Sequence, residues 1–153
     1  MKDLKGFAMK NFWKLTQTLV ISVLAIGLQT AQPHAQSNGI TVELNKFEVS
    51  DTGGCRAFFL FRNQSDITFE GFEMSLAILD NTGVIDRLLS IDAAPISAAR
   101  TTLKLFEISD ISCPEISEIL LHELPSCRPQ NGEEMNCFPI ITLHSRTSAT
   151  LVK

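Results

Sequence analysis

Residues 55–79 read CRAFFLFRNQSDITFEGFEMSLAIL. Two apolar runs of strand length flank a polar break, and a cysteine opens the first. Outside the N-terminal segment this is the densest apolar stretch of the chain, so the core must form on it. Along residues 55–62, Cys55, Ala57, Phe59 and Phe61 share one face, while Arg56, Phe58, Leu60 and Arg62 share the other. Both faces are apolar in the middle and charged at the ends, as expected of a central strand. Along residues 69–79, Phe72, Met74, Leu76 and Ile78 point one way, and Glu73 and Ser75 the other. Asp80-Asn81-Thr82-Gly83 then supplies a hairpin connection, with glycine where a positive φ is needed, and residues 84–91 return as the next strand.

Working outward, residues 40–49 alternate Ile40, Val42 and Leu44 against Thr41 and Glu43. The alternation slips at Asn45-Lys46 before Phe47 and Val49, which predicts a bulge there. Residues 50–54 (SDTGG) form a turn. Beyond a loop around Pro95, residues 101–108 (TTLKLFEI) predict a strand with Thr101, Leu103 and Leu105 inward. Phe106 and Ile108 fall on the other parity, which predicts a second register slip or a twisted strand end. Residues 109–115 contain Cys113-Pro114 and predict a short helical turn. Residues 116–124 (ISEILLHEL) fit either a strand or two helical turns, and the neighbouring strands and the early stop at Pro125 favour the strand; residues 125–136 predict a long polar loop pinned by Cys127 and Cys137. Residues 138–145 predict an edge strand, because Pro139 sits near its start, and residues 149–153 a little terminal pairing. About seven short strands with regular turns imply an all-β, immunoglobulin-like β-sandwich.

The chain has 153 residues, room for one domain. Residues 1–37 have the layout of a secretory signal peptide. Lys2, Lys5, Lys10 and Lys14 precede the apolar run LVISVLAIGL at 19–28, and a polar segment follows it. Met9 offers an alternative start, and cleavage is expected after Ser37 or, alternatively, after Ala35. No cysteine follows the apolar run closely enough to take a lipid, and no Arg-Arg pair precedes it. The alternative is a retained helix tethering a membrane subunit, against which the shortness of the run argues. Residues 38–153 are then the mature domain, periplasmic or secreted, with no membrane attachment after cleavage. They carry 9 basic and 16 acidic side chains, a net charge of about −7 that disfavours nucleic acid as a partner. The only Trp leaves with the leader and there is no Tyr, so the core must rest on Phe, Leu, Ile and Val.

Cys55, Cys113, Cys127 and Cys137 all lie in the mature part, and an even count in an exported chain implies two disulfides. Pairing Cys55 with Cys113 and Cys127 with Cys137 closes one small loop and ties a strand to a distant crossover. Pairing Cys55 with Cys137 and Cys113 with Cys127 is the rival.

The segments ITVELNKFEV, CRAFFLFRN, FEMSLAILDNTGVIDRLL, TTLKLFEI and SCPEISEILL, followed by the last two cysteines, resemble a family of small exported bacterial proteins labelled Tat pathway signal sequence domain proteins. The resemblance covers most of the mature chain and all four cysteines. It implies no activity and no catalytic residues. The succession of strand, polar turn, long strand, Asp-x-x-Gly and return strand also resembles immunoglobulin-like modules of the bacterial cell envelope.

Constellations for chemistry are sparse. The cysteine spacings are far longer than the C-x-x-C of disulfide oxidoreductases. His122-Glu123 lacks the second histidine of H-E-x-x-H, so no metal site is expected, and no cofactor is implied. Ser145 adjoins His144, but strand neighbours face opposite ways, and no G-x-S-x-G elbow occurs. Glu133-Glu134 lie in a hydrophilic loop. Asn63-Gln64-Ser65 matches a glycosylation sequon. The expectation is a non-enzymatic module that contacts a protein partner of the cell envelope, with the loop carrying Arg128, Asn131, Gly132, Glu133, Glu134 and Met135 as one contact surface. The alternative is a small enzyme, or a ligand- or metal-binding protein, using His122 or His144. The sequence does not determine oligomeric state.

Overall fold

The computed structural model describes residues 39–51 and 53–153; the leader and cleavage site expected from the sequence fall outside the described residues. Eight strands follow one another: β1 (Ile40–Val49), β2 (Cys55–Asn63), β3 (Phe69–Asp80), β4 (Ile85–Asp92), β5 (Arg100–Ile108), β6 (Ile116–Pro129), β7 (Ile141–Ser145) and β8 (Thr150–Val152). They form two four-stranded sheets, a β-sandwich. The first sheet has the order β5-β2-β1-β7 and the second β4-β3-β6-β8. The eighth strand is the terminal pairing, which joins β6 in parallel.

β2 lies between β5 and β1, as its doubly apolar faces imply, and β3 lies between β4 and β6. The β1–β2 register shifts between Leu44 and Lys46, where the alternation breaks. The bulge brings Phe47 opposite Ala57 and returns it to the core side. Gly54, at the start of β2, packs against the end of β5: a Cβ there would stand 2.7 Å from the Ile108 carbonyl oxygen.

Three expectations need correction. In β5 the inward residues are Thr102, Lys104, Phe106 and Ile108, while Thr101, Leu103 and Leu105 face out. Directly opposed residues of an antiparallel pair share a face, and the unbroken β2–β5 register sets Phe106 against Ala57 and Ile108 against Cys55. There is accordingly no second slip. Lys104 keeps its stem inside and sends Nζ 2.7 Å to the Ala94 carbonyl at the edge of the sandwich. The polar loop after residue 124 is also shorter than expected. β6 runs on to Pro129, because Cys127 pairs opposite Phe72 and the β3–β6 register absorbs several irregularities. Residues 138–140 form a 3₁₀ turn, and only Ile141–Ser145 pair as an edge strand. A second 3₁₀ turn, at Cys113–Glu115, matches the helical turn expected there.

Phenylalanines fill the space between the sheets. Phe106 meets Phe59 edge-on at 5.9 Å, Phe59 lies 6.3 Å from Phe61, Phe61 meets Phe72 at 6.0 Å across the sheets, and Phe72 meets Phe69 at 6.2 Å. Phe59, Phe61, Phe69 and Phe72 are fully buried, with Leu44, Met74, Leu76 and Ile78 around them.

Cys55 is bonded to Cys113 and Cys127 to Cys137, leaving no free thiol. The first bridge spans 58 residues and the second 10. Loop-closure entropy then assigns about 4 kcal/mol to the first and about 3 kcal/mol to the second. Replacing Cys55 and Cys113 together by alanine should lower the urea midpoint more than replacing Cys127 and Cys137. Equilibrium unfolding of the two double variants checks the order.

Candidate functional site

The two histidines singled out in the sequence do not meet. His122 lies exposed on β6 in the second sheet, with Nε2 3.6 Å from Glu123 Oε1. His144 lies on β7, the edge of the first sheet. Among the described residues no group of three His, Cys, Asp or Glu side chains could hold a metal ion.

The loop pinned by the second disulfide folds back on its own strand. Glu134 accepts from Ser126 Oγ at 2.8 Å and from the Cys127 N–H at 2.7 Å, and Met135 N–H donates to the Cys127 carbonyl. The Ser126 hydroxyl, then the Cys127 N–H, hold the Glu134 carboxyl below its ordinary range. Asn63, the head of the sequon, is 2% exposed. Its Nδ2 donates to the Ile67 and Ser97 carbonyls at 2.7 and 3.2 Å, and its Oδ1 accepts from the Ser65 N–H and hydroxyl. The side chain builds the turn that leaves β2, so the folded sandwich offers it to no glycosylating enzyme.

What the fold does present is the outer face of the first sheet. Phe58 on β2 pairs with Leu105 on β5, and Leu60 pairs with Leu103. These four side chains make one apolar patch, in which Leu103 and Leu105 are 52% and 49% exposed. At one end Arg56 joins Glu107 at 3.1 Å and Glu48 at 3.7 Å, and Lys46 lies over the Phe58 ring at 4.9 Å.

At the other end stands Glu43, on the outer face of β1 yet with its side chain only 4% exposed. The β1 registers set it opposite Leu60 on β2 and His144 on β7. Arg62 grips it with Nη1 2.8 Å from Oε2 and Nη2 3.3 Å from Oε1. Asn45, turned by the bulge, donates to Oε1 at 2.8 Å, and Arg146 Nε lies 3.2 Å from the same oxygen. The Arg62 guanidinium, followed by Asn45, holds the Glu43 carboxyl down at about 2, against the opposing effect of burial. Thr41, Arg62, His144, Ser145 and Arg146 with Glu43 line a recess of about 460 Å³.

This cluster escapes sequence reading because its members are strands apart. Glu43 reads as one polar residue of a wet face, and Arg62 and Arg146 carry no motif. The only signals are the bulge beside Glu43 and the arginine that follows the apolar middle of β2.

No protein-family model matches the chain, and no curated protein matches it. Among solved structures the fold is similar to that of IrmA from Escherichia coli. The likeness has a TM-score of 0.55 and covers 69% of this chain and 90% of that one, at 14% sequence identity. At that identity the likeness speaks for the fold alone.

The Glu43 pKa, held below its ordinary 4.5, makes a pH signature. The stabilisation is fully present above about pH 5 and is lost as the pH falls toward 2, because the unfolded chain takes up the proton first. Both guanidinium groups face solvent, so the discounted value is about 2 kcal/mol. Wild type and Glu43→Gln should therefore differ in urea stability at pH 7 and converge by pH 2, as unfolding curves across that range will show.

Proposed function

We propose that the chain is an exported, non-catalytic module of the cell envelope that works by protein contact through the outer face of its first sheet. The observation that carries this reading is the patch of Phe58, Leu60, Leu103 and Leu105. It is an apolar strip held on a rigid sheet and rimmed by paired charges, the anatomy of a contact surface. Lys46, Arg56, Arg62 and Arg146 against Glu43, Glu48 and Glu107 leave this face slightly positive on a chain that is otherwise strongly acidic. A partner with an apolar, acidic surface suits it.

Two disulfides support an oxidising, extracytoplasmic location. A cleaved leader at residues 1–37 is the route we infer, and the layout of basic and apolar residues in that segment supports it. The order of the strands supports an immunoglobulin-like sandwich. β1, β2 and β5 share one sheet while β3 and β6 share the other, and the Cys55–Cys113 bridge ties β2 to the start of β6. We infer kinship with the exported Tat pathway signal sequence domain proteins from the resemblance of the segments and cysteines quoted above.

A photocrosslinking amino acid placed at Leu103 or Leu105 should yield one defined adduct in cells exporting the protein. The same probe at Leu88, on the far sheet, should not. Equal adducts at all three positions, or none at Leu103 and Leu105, would overturn the assignment of this face. Intact mass of the exported protein should show a chain beginning at residue 38 that takes up no alkylating agent until reduced and four equivalents afterwards; a product retaining residues 19–28 would favour the tethered form.

A further inference from the structure

The recess at the Arg62 end of the patch has an uneven hydrogen-bonding inventory. Glu43 is the acidic side chain among its lining residues, and its carboxylate is already engaged. Oε1 faces Asn45, Arg62 and Arg146, and Oε2 faces Arg62. Each guanidinium carries five N–H donors, and most of them do not point at Glu43. Two arginines against one carboxylate leave one positive charge, exposed most on Arg146, whose side chain is 67% accessible. Ser145 is committed elsewhere: its Oγ donates to the Ala149 carbonyl and accepts from the Thr147 N–H. The other carboxylates of this face, Glu48 and Glu107, are paired at the opposite end with Lys46 and Arg56. The recess therefore offers guanidinium donors and net positive charge, and its one carboxylate is already engaged. Leu60, opposite Glu43, and Leu103, opposite Leu60, give it an aliphatic flank.

We propose that this recess is a carboxylate-binding site that seats a carboxylate standing next to a branched aliphatic side chain. The carboxylate takes paired N–H bonds from Arg146 and Arg62, and the aliphatic group lies on Leu60 and Leu103. The proposal rests on the reading of this face as a contact surface and names the partner feature it recognises: a chain end closing in Leu, Ile or Val, or an Asp or Glu beside such a residue. Glu43 belongs to the site as the fixed counter-charge that holds the guanidinium planes in place, so little ordering is left to binding.

The test uses small probes and ¹⁵N-labelled exported protein in chloride buffer. N-acetyl-leucine should produce saturable shifts of the Arg62 and Arg146 Nε–H signals, with Kd about 1–10 mM, as suits a ligand of this size. N-acetyl-glycine should bind about fivefold more weakly, for want of the aliphatic contact. N-acetyl-leucinamide, which lacks the carboxylate, should not bind. Comparing N-acetyl-leucine with N-acetyl-leucyl-aspartyl amide tells a chain terminus from a side-chain carboxylate as the preferred source. Arg146→Gln, on an exposed side chain and the lesser of the two arginine partners of Glu43, should lower the melting temperature only slightly, keep the fold, and weaken N-acetyl-leucine about tenfold. Equal binding of the amide and the acid, or unaltered binding by Arg146→Gln, would overturn the site. Failure of crosslinking at Leu103 with N-acetyl-leucine binding intact would overturn the contact reading alone, and the reverse pattern would overturn this site alone.

Discussion

The contact between Phe61 on β2 and Phe72 on β3 is where the aromatic rings of the two sheets meet, at the heart of the core that joins them. The rings meet edge to face at 6.0 Å, and further phenylalanines extend the chain of rings toward β5 on one side and along β3 on the other. A described chain with neither Trp nor Tyr has no larger ring to fill the gap, and Phe brings no polar atom that would need a partner there. Each sheet can then bury its inner face completely. Phe61→Ala would remove a ring with no neighbour able to replace it, the costliest kind of core change.

Because the core is satisfied from within, the outer faces are left to differ. On the second sheet β3 carries Ser75 and Ala77 outward, small side chains that hardly project, and both are buried. On the first sheet the outward positions of β2 and β5 carry Phe58, Leu60, Leu103 and Leu105. Folding does not need those four, since the same strands bury Phe59, Phe61 and Ile108 on the inner side. A large side chain placed where the core has no use for it is the physical ground for reading this face as a place of contact.

Much of the architecture was legible where one parity was plainly apolar. The β3–β4 hairpin and the slip at Asn45-Lys46 are of that kind, because a change of alternation maps directly onto a bulge. β5 misled because both of its parities are apolar in places. Leu103 and Leu105 compete with Phe106 and Ile108, and only the register against Ala57 and Cys55 decides between them. That register is non-local information. β6 misled for a different reason. Pro125 reads as a stop, yet it sits exposed in a strand whose pairing with β3 is already irregular nearby, so the missing N–H costs little. The recess around Glu43 was hidden by distance along the chain, since its arginines lie on other strands or beyond them. Sequence patterning reports which face a residue occupies, and it reports poorly on which partners meet there.

The turn after β2 has a consequence for making the protein. Asn63 is protected from sugar transfer only once its amide is bonded to the Ile67 and Ser97 carbonyls. In a host whose secretory pathway modifies nascent chains, the acceptor is met earlier, while residues 64–97 are still extended. A glycan attached then would stand where the carbonyls must close, and that molecule could not complete its sandwich. A host without that machinery leaves the turn free to close.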